Sequence, residues 1–246
     1  MLAYTGSGPV GLLDTIARAG RQALLAAFYQ KYYHHFRCRP ETYGGRVHAQ
    51  RHDRYGFEIP ELLTESVILS VRDHETDYLS TAYVEGSPVH PAYPSGHSVI
   101  AGACGTVLKT WFPDPDWEES DLDYLVVTHR DDQLGTGTTD IEVPDGHSGL
   151  HQEIDKLISN VGLARMFAGI HYYSDHYHGV KLGEQVAVGL LADIFGRTFT
   201  GSEENDLTFK PYLRYDDDPV SIEPGEADTL DEMCEAAVDR DPVPTG

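Results

Sequence analysis

Apolar residues recur every three or four positions in four stretches of this 246-residue chain. The stretches run from Val10 to Cys38, from Tyr93 to Trp111, from His147 to Met166, and from His171 to Phe195, with Gly169 between the last two. This period is typical of amphipathic helices that bury one face. Long helices joined by loops predict an all-α fold, a helical bundle.

The remaining segments are less regular. Residues 41–90 mix glycine, proline and charged side chains, which favours loops with short helices near 59–70 and 76–84. Residues 121–143 alternate loosely, as a short hairpin or an excursion loop would. We therefore expect one helical domain over residues 1–200.

An acidic, proline-containing extension follows over residues 201–246. Within it, Thr208 to Tyr215 and Val220 to Ile222 flank a turn-forming Asp-Asp-Asp-Pro run and are expected to form a small hairpin. The composition of the rest is typical of partly disordered tails.

Acidic residues dominate the charge of the chain. There are 40 Asp and Glu against 18 Lys and Arg, a formal net charge of -22. Such an excess is typical of proteins adapted to high salt, where counterions screen repulsion, and we expect a haloarchaeal source. The same charge argues against a nucleic-acid partner, which would require a basic surface.

Three cysteines, widely spaced, indicate neither a disulfide framework nor a structural zinc site. No apolar run reaches the ~18 residues that a membrane helix needs, and the first residues lack the features of a secretion signal. We expect a soluble, cytoplasmic chain.

The second helix opens with the sequence Pro94-Ser95-Gly96-His97. The first amides of a helix lack intrahelical partners, and the helix dipole favours negative charge there. Glycine lets an oxyanion approach the backbone, serine can cap the helix or bind the anion, and histidine can carry a proton. The motif alone is equally consistent with an anion site and with an ordinary capped helix.

The first helix carries Lys31, His35 and Arg39 at steps of four, so the three should lie along one face. Lys31 and Arg39 would then sit about 12 Å apart along the axis and could converge on a ligand beyond the helix end. A solvated surface stripe is the simpler reading of the pair taken alone.

The third set lies around the interruption at Gly169. On one continuous helix Arg165 and His171 would face different ways, but a break between them lets both point into one pocket. Asp175 follows His171 by four residues and could accept the Nδ1 proton, which would leave the Nε2 lone pair outward as a nucleophile or metal ligand. A purely structural His–Asp pair is the alternative.

Taken in order, these three sets resemble the signature of the vanadium-dependent haloperoxidase and type 2 phosphatidic acid phosphatase superfamily. Two details resemble its bromoperoxidases: seven residues separate Lys31 from Arg39, and His90 stands seven before His97. Ala164 departs from the small polar residue or glycine usual before the arginine. Members also carry a helical bundle ahead of the lysine helix, so we expect an N-terminally short member, whose exposed face a homodimer would cover.

The resemblance implies a vanadate cofactor held by a set of cationic and helix-start groups: Lys31, Arg39, Ser95, Gly96 and Arg165. It implies His171 as the axial vanadium ligand, Asp175 as the residue that fixes its tautomer, His97 as the acid–base group and His90 as a neighbour that tunes halide preference. The implied partners are hydrogen peroxide, a halide (bromide or chloride) and a small organic substrate, with hypohalous acid as product.

Two other functions fit the same residues. Phosphate has nearly the shape of vanadate, so the pocket could hydrolyse phosphomonoesters with His171 as nucleophile and His97 as proton donor. Alternatively, the chain is a non-catalytic anion- or metal-binding module, in which His171, His176 and His178 attract zinc or nickel beside Asp175.

Overall fold

A computed structural model describes residues 8–52, 54–64, 78–112, 150–198, 207–209 and 220–222. Within these ranges the chain forms the following helices and strands: α1 (Pro9–Tyr29), a π-helical turn (Gln30–His35), α2 (Pro40–Arg51), α3 (Glu61–Thr64), α4 (Gly96–Trp111), α5 (Leu150–Phe167), α6 (Tyr173–Thr198), β1 (Leu207–Phe209) and β2 (Val220–Ile222). The described part is thus a helical bundle, as expected from the periodicity.

Helix α4 lies at the centre and packs against α1, α5 and α6. The α1 face towards it repeats every four residues through Ala19, Ala23 and Ala27, each fully buried. Small side chains at this spacing let the helix axes approach closely. Val99 and Val107 of α4 belong to the same buried core cluster as these alanines, together with Leu190 and Leu191 of α6.

Two glycines set the distance between α4 and α6. A Cβ at Gly102 would lie 2.5 Å from the carbonyl oxygen of Val180, and one at Gly183 would overlap the carbonyl oxygen of Val99. Since real side chains cannot approach backbone oxygen that closely, this helix pair requires glycine at both positions. The close contact holds the first two turns of α4 against the second and third turns of α6.

A buried ion pair joins α4 to α5. The Lys109 ammonium, whose side chain is 1% exposed, contacts the Asp155 carboxylate. Breaking such a pair leaves an uncompensated buried charge, at a cost of about 3–5 kcal/mol. It therefore helps to hold α5, which carries Arg165, at a fixed place on the bundle.

The prediction for the end of the first helix is wrong. The chain leaves the α-helix at Tyr29, makes one π-helical turn and stops at His35, before the expected Cys38. The Phe36 amide donates to the Lys31 carbonyl at 3.3 Å, and Phe36 adopts φ 43°. The lysine stripe is wrong as well, because Arg39 lies beyond this helix, at the cap of α2.

Other boundaries also differ from the predictions. Residues 40–51 form a helix where loops were expected, and the predicted helix at 76–84 is absent over its described residues, 78–84. Helix α4 begins at Gly96 instead of Tyr93, because Ser95 is extended. Helix α6 begins at Tyr173, two residues after the predicted start.

Strands β1 and β2 pair antiparallel, with Thr208 opposite Ser221. They fall where we expected a hairpin, but the residues between them and the acidic tail lie outside the described part, as does the segment 121–143. Both the hairpin and the domain division at residue 200 therefore stay predictions. Among the described helices, none combines the length and the apolar character that crossing a membrane would take.

Candidate anion-binding site

Three chain segments meet where the first turn of α4 approaches the start of α6. The Ser95 amide donates to the carbonyl of Asp175 at 2.9 Å, which joins the two helix starts. The Lys31 ammonium, buried at 1% exposure, donates to the carbonyls of Pro91 and Ala92 at 2.6 and 3.1 Å. The π-helical turn thus delivers Lys31 to the segment that leads into the Ser-Gly-His sequence.

His171 lies between a carboxylate and a guanidinium. Its Nδ1 is 3.0 Å from Oδ2 of Asp175, and its Nε2 is 3.0 Å from Nη1 of Arg39. Arg39 has no lone pair to offer and can only donate, so Nε2 must be the acceptor and Nδ1 carries the proton. This is the tautomer expected from the four-residue spacing of His171 and Asp175.

Arg39 connects the three segments, although it does not lie on the first helix. Its side chain is 5% exposed, and besides His171 it donates to the carbonyls of His90 and Ile170 at 3.1 and 2.8 Å. Its Nη2 lies 3.1 Å from Nδ1 of His90. The guanidinium therefore fixes the 90–95 segment and the α5–α6 turn relative to each other.

Two donors of the site are buried without a partner among the described residues: Oγ of Ser95 and Nε of Arg165. Ser95 caps α4 by position only, since its hydroxyl bonds no amide of the first turn. A Cβ placed on Gly96 would meet no atom within 4 Å, so the space in front of this helix start is open. Buried donors without acceptors are costly unless a ligand satisfies them.

Burial and mutual repulsion alter the pKa of the site's cations. Loss of water, followed by the Arg39 charge, lowers the pKa of Lys31 to about 7. Burial is also the main reason that the pKa of His171 lies below its usual value, although the bond to Asp175 opposes the shift. The cluster therefore favours a neutral imidazole, with the Nε2 lone pair directed at Arg39.

His97 lies in the first turn of α4 with a solvent-accessible ring. Partial loss of water lowers its pKa, and the charges of Arg165 and Lys31 lower it further. The imidazole is thus neutral near pH 7 and able to accept a proton beside the cationic cluster. His90 is held against Arg39 and against the ring of Phe28, at a centroid distance of 5.5 Å.

Two residues that sequence reasoning missed contribute to the site. Arg37 donates to Oδ1 of Asp175 at 2.7 Å, and Tyr83 accepts from Nη1 of Arg165 at 2.8 Å. Arg37 stood two residues before Arg39 in a run whose helical register was wrongly predicted, and Tyr83 lies in a segment predicted as a helix. Neither carried a spacing signal that could have placed it.

The structure separates the histidines considered for zinc or nickel. Nδ1 of His176 lies 3.0 Å from Oγ of Ser98, and Nδ1 of His178 lies 3.0 Å from the hydroxyl of Tyr93. Within the described ranges, no group of three His, Cys, Asp or Glu side chains could hold a metal ion. Of the two basic residues predicted on the first helix that lie there, Lys31 reaches the site, whereas His35 is exposed and packs edge-on against Tyr93.

The family model described as "VCPO second helical-bundle domain" matches residues 12–195, which include all the site residues above. The chain belongs to the vanadium haloperoxidase family. Vanadium-dependent bromoperoxidases from Corallina officinalis and Ascophyllum nodosum are 31% and 32% identical to it over 212 residues, which cover 77% and 78% of this chain. The haloarchaeal source expected from composition stays a prediction beside these relatives.

A solved structure shares the fold of this family member. It is the homohexameric second vanadate-dependent bromoperoxidase of Ascophyllum nodosum, with a TM-score of 0.61 and 25% identity over 85% of this chain and 40% of that one. This chain spans about a third of the length of the curated bromoperoxidases it matches, 34% and 35%.

The residues present fit a vanadate-type oxyanion. Such an anion requires cationic or neutral donors on its oxygens and one lone pair for its central atom. The site offers the unpaired donors of Ser95 and Arg165, the guanidinium of Arg39 and the lone pair on Nε2 of His171. Asp175 faces the opposite side of the imidazole ring and would not repel the anion directly.

Proposed function

We propose that this chain is a vanadate-dependent haloperoxidase that oxidises bromide or chloride with hydrogen peroxide to hypohalous acid. The observation that carries the proposal is the arrangement around His171, whose Nε2 lone pair faces a guanidinium while Asp175 holds the proton on Nδ1. Membership in the family and the bromoperoxidase relatives support the same assignment.

Six groups would hold the cofactor. His171 would bind the central atom through Nε2, while Arg39 and Arg165 would bind oxygens through planar donor forks. Ser95 and the amide of Gly96 would donate from the start of α4, where the helix dipole adds to the attraction. Lys31 would supply the third positive charge, since a nearby anion favours its protonated form.

When bound, vanadate supplies Lewis-acid activation of peroxide towards halide. Residues of the chain itself would orient the reactants around it and would transfer protons. His97, neutral near pH 7, would take a proton from peroxide and return it later, a role worth about 10²–10⁴ in rate. His90 would modulate the halide position through its contact with Arg39.

The decisive assay pairs two activities of one preparation. Bromination of a phenolic indicator by peroxide is followed at high salt, with and without added vanadate, beside release of p-nitrophenol from its phosphate. We expect vanadate-dependent bromination that inorganic phosphate inhibits by competition. Steady phosphatase turnover without vanadate-dependent bromination would overturn the proposal and assign the pocket to phosphomonoester hydrolysis.

We further propose that copies of this chain associate, since the solved relative is described as a homohexamer. Sedimentation at high salt measures this directly, and a monomer throughout the accessible concentration range would contradict it.

A further inference from the structure

Arg37 lies in the short connection between the π-helical turn and α2, and it reaches the start of α6. One nitrogen, Nη1, donates to Oδ1 of Asp175 and to the hydroxyl of Ser174, each at 2.7 Å. The Asp175 side chain is 0% exposed, whereas that of Arg37 is 39% exposed. The arginine thus reaches from the surface to a fully buried carboxylate.

The position of Arg37 is fixed from three directions. Its backbone carbonyl accepts the amide of Ala92 at 2.8 Å, which links it to the segment before α4. Its guanidinium lies 5.4 Å from the ring centroid of Tyr93 and 5.1 Å from that of Tyr172. Contacts between a guanidinium and aromatic faces at this distance are stabilising. The two ring contacts limit the rotamers open to Arg37, although its side chain is partly exposed.

The buried carboxylate of Asp175 is held at both oxygens. Oδ2 accepts from Nδ1 of His171 and from the amide of Tyr172, both at 3.0 Å, while Oδ1 accepts from Arg37. Arg37 is the one partner of Oδ1 recorded among the described residues. Without it the carboxylate could rotate, and a buried oxygen would lack a donor.

We propose that Arg37 is a positioning residue for His171: it locks the Asp175 carboxylate so that Oδ2 stays aimed at Nδ1 and the Nε2 lone pair stays aimed at the anion. The inference rests on the proposed function, in which Nε2 is the ligand atom. It extends the site to a residue outside the Lys31, Arg39, Ser95 and Arg165 set.

The first test observes the ring nitrogens of His171 without any bound anion. In protein with ¹⁵N-labelled histidine, the His171 signals are those lost in His171→Gln, and the protonated and bare ring nitrogens resonate far apart. We expect the Nδ1-protonated form in both proteins, because Arg39 still donates to Nε2, and a shifted Nδ1 resonance in Arg37→Gln, because the hydrogen bond from Nδ1 to Asp175 is weakened. An unchanged His171 spectrum in folded Arg37→Gln overturns the proposal, whether or not the protein brominates.

The second test separates positioning from plain charge. Orthovanadate affinity is measured by titration for the natural protein, Arg37→Gln, Asp175→Asn and the double variant. Loss of a partner behind a metal-ligating histidine typically weakens binding about 10- to 100-fold, and we expect that loss for Arg37→Gln. In the Asp175→Asn background the same change should cost less than about twofold, since coupled residues are not additive. A full additional loss there would mean that Arg37 acts on the anion directly, which overturns the proposal.

Two variants keep the test decisive. Arg46→Gln removes a side chain of equal charge on α2, which lies over the ring of Phe57. This variant should leave the His171 spectrum and the affinity unchanged. Arg37→Lys retains the charge between the two rings and should recover part of the lost affinity. If Arg37→Gln does not fold, Arg37→Lys decides: a natural His171 spectrum and natural affinity in it would overturn the proposal. If the natural protein binds phosphate but not vanadate, the proposed function fails, while the His171 spectrum still decides the role of Arg37.

Discussion

Nη1 of Arg39 lies 3.0 Å from Nε2 of His171, on the side of the imidazole opposite to Asp175. The proton on Nδ1 and the lone pair on Nε2 are therefore set by two buried neighbours of opposite charge. This pair also joins two chain segments that are 132 positions apart. An oxyanion bound to Nε2 would lie against the Arg39 guanidinium. The ligand atom of His171 and the cation that balances the anion's charge are therefore neighbours.

Replacing Arg39 with lysine should weaken vanadate binding at least tenfold. An ammonium cannot reach His171, Ile170 and His90 together as the guanidinium fork does, although it keeps the positive charge. Affinity measured by competition with phosphate would show the loss. Arg46→Lys, on the exposed side of α2, serves as the matched control and should bind normally. Equal affinity of the two variants would contradict a role for the fork.

Replacing His171 with alanine should abolish bromination while leaving the helical circular dichroism close to that of the natural protein. The ring is buried beside Asp175, so some stability is lost, but the α4–α6 contact does not depend on it. His34→Ala, which removes an exposed histidine of the π-helical turn, should retain activity. Turnover retained by His171→Ala would remove both the ligand role and the nucleophile role of this residue.

Periodicity predicted the bundle and its long helices because each buries one apolar stripe, and that signal is local. Local signals also placed Ser95, Gly96 and His97 at a helix start. The break at Gly169 was predictable as well, because glycine suits the φ of 75° found there. The structure adds a tertiary reason, since a Cβ there would lie 2.5 Å from the carbonyl oxygen of Ser80.

The sequence could not reveal where the first helix ends. A π-helical turn adds one residue per turn and changes the register. Lys31 therefore reaches the site from this turn and Arg39 from the cap of α2, instead of both lying along one stripe. Arg37 and Tyr83 act through contacts 138 and 82 positions away along the chain. Such pairings depend on tertiary packing, for which a single sequence carries no spacing rule.

Replacing His97 with alanine should lower the bromination rate about 10²- to 10⁴-fold, with a much smaller change in vanadate affinity. The residue is expected to move protons and not to bind the anion, and its lowered pKa keeps it neutral near pH 7. Added imidazole should restore part of the rate in this variant, as is usual for a missing exposed acid–base group. A large loss of vanadate affinity with an unchanged rate at saturation would contradict this division of roles.

Replacing Lys31 with methionine should change how stability depends on pH. The pKa of Lys31 is about 7 in the folded protein and 10.5 when free, so between these values the unfolded chain binds a proton that the folded chain lacks. Stability of the natural protein therefore rises with pH in this window, and the variant lacks that contribution. Below pH 7 both states are protonated and the two curves should run parallel.

We expect the free energy of unfolding of the natural protein to rise by about 1–2 kcal/mol relative to Lys31→Met between pH 7 and pH 9. This is less than one proton could contribute over the window, which is ~1.4 kcal/mol for each pH unit. Urea unfolding in buffers free of phosphate and vanadate, at constant salt, measures the difference. Lys156→Met removes a lysine that is 60% exposed and should show no such trend. Parallel curves for Lys31→Met over this window would mean that Lys31 keeps its charge when buried, stabilised by the carbonyls of Pro91 and Ala92. The site would then carry its third cation before any anion binds.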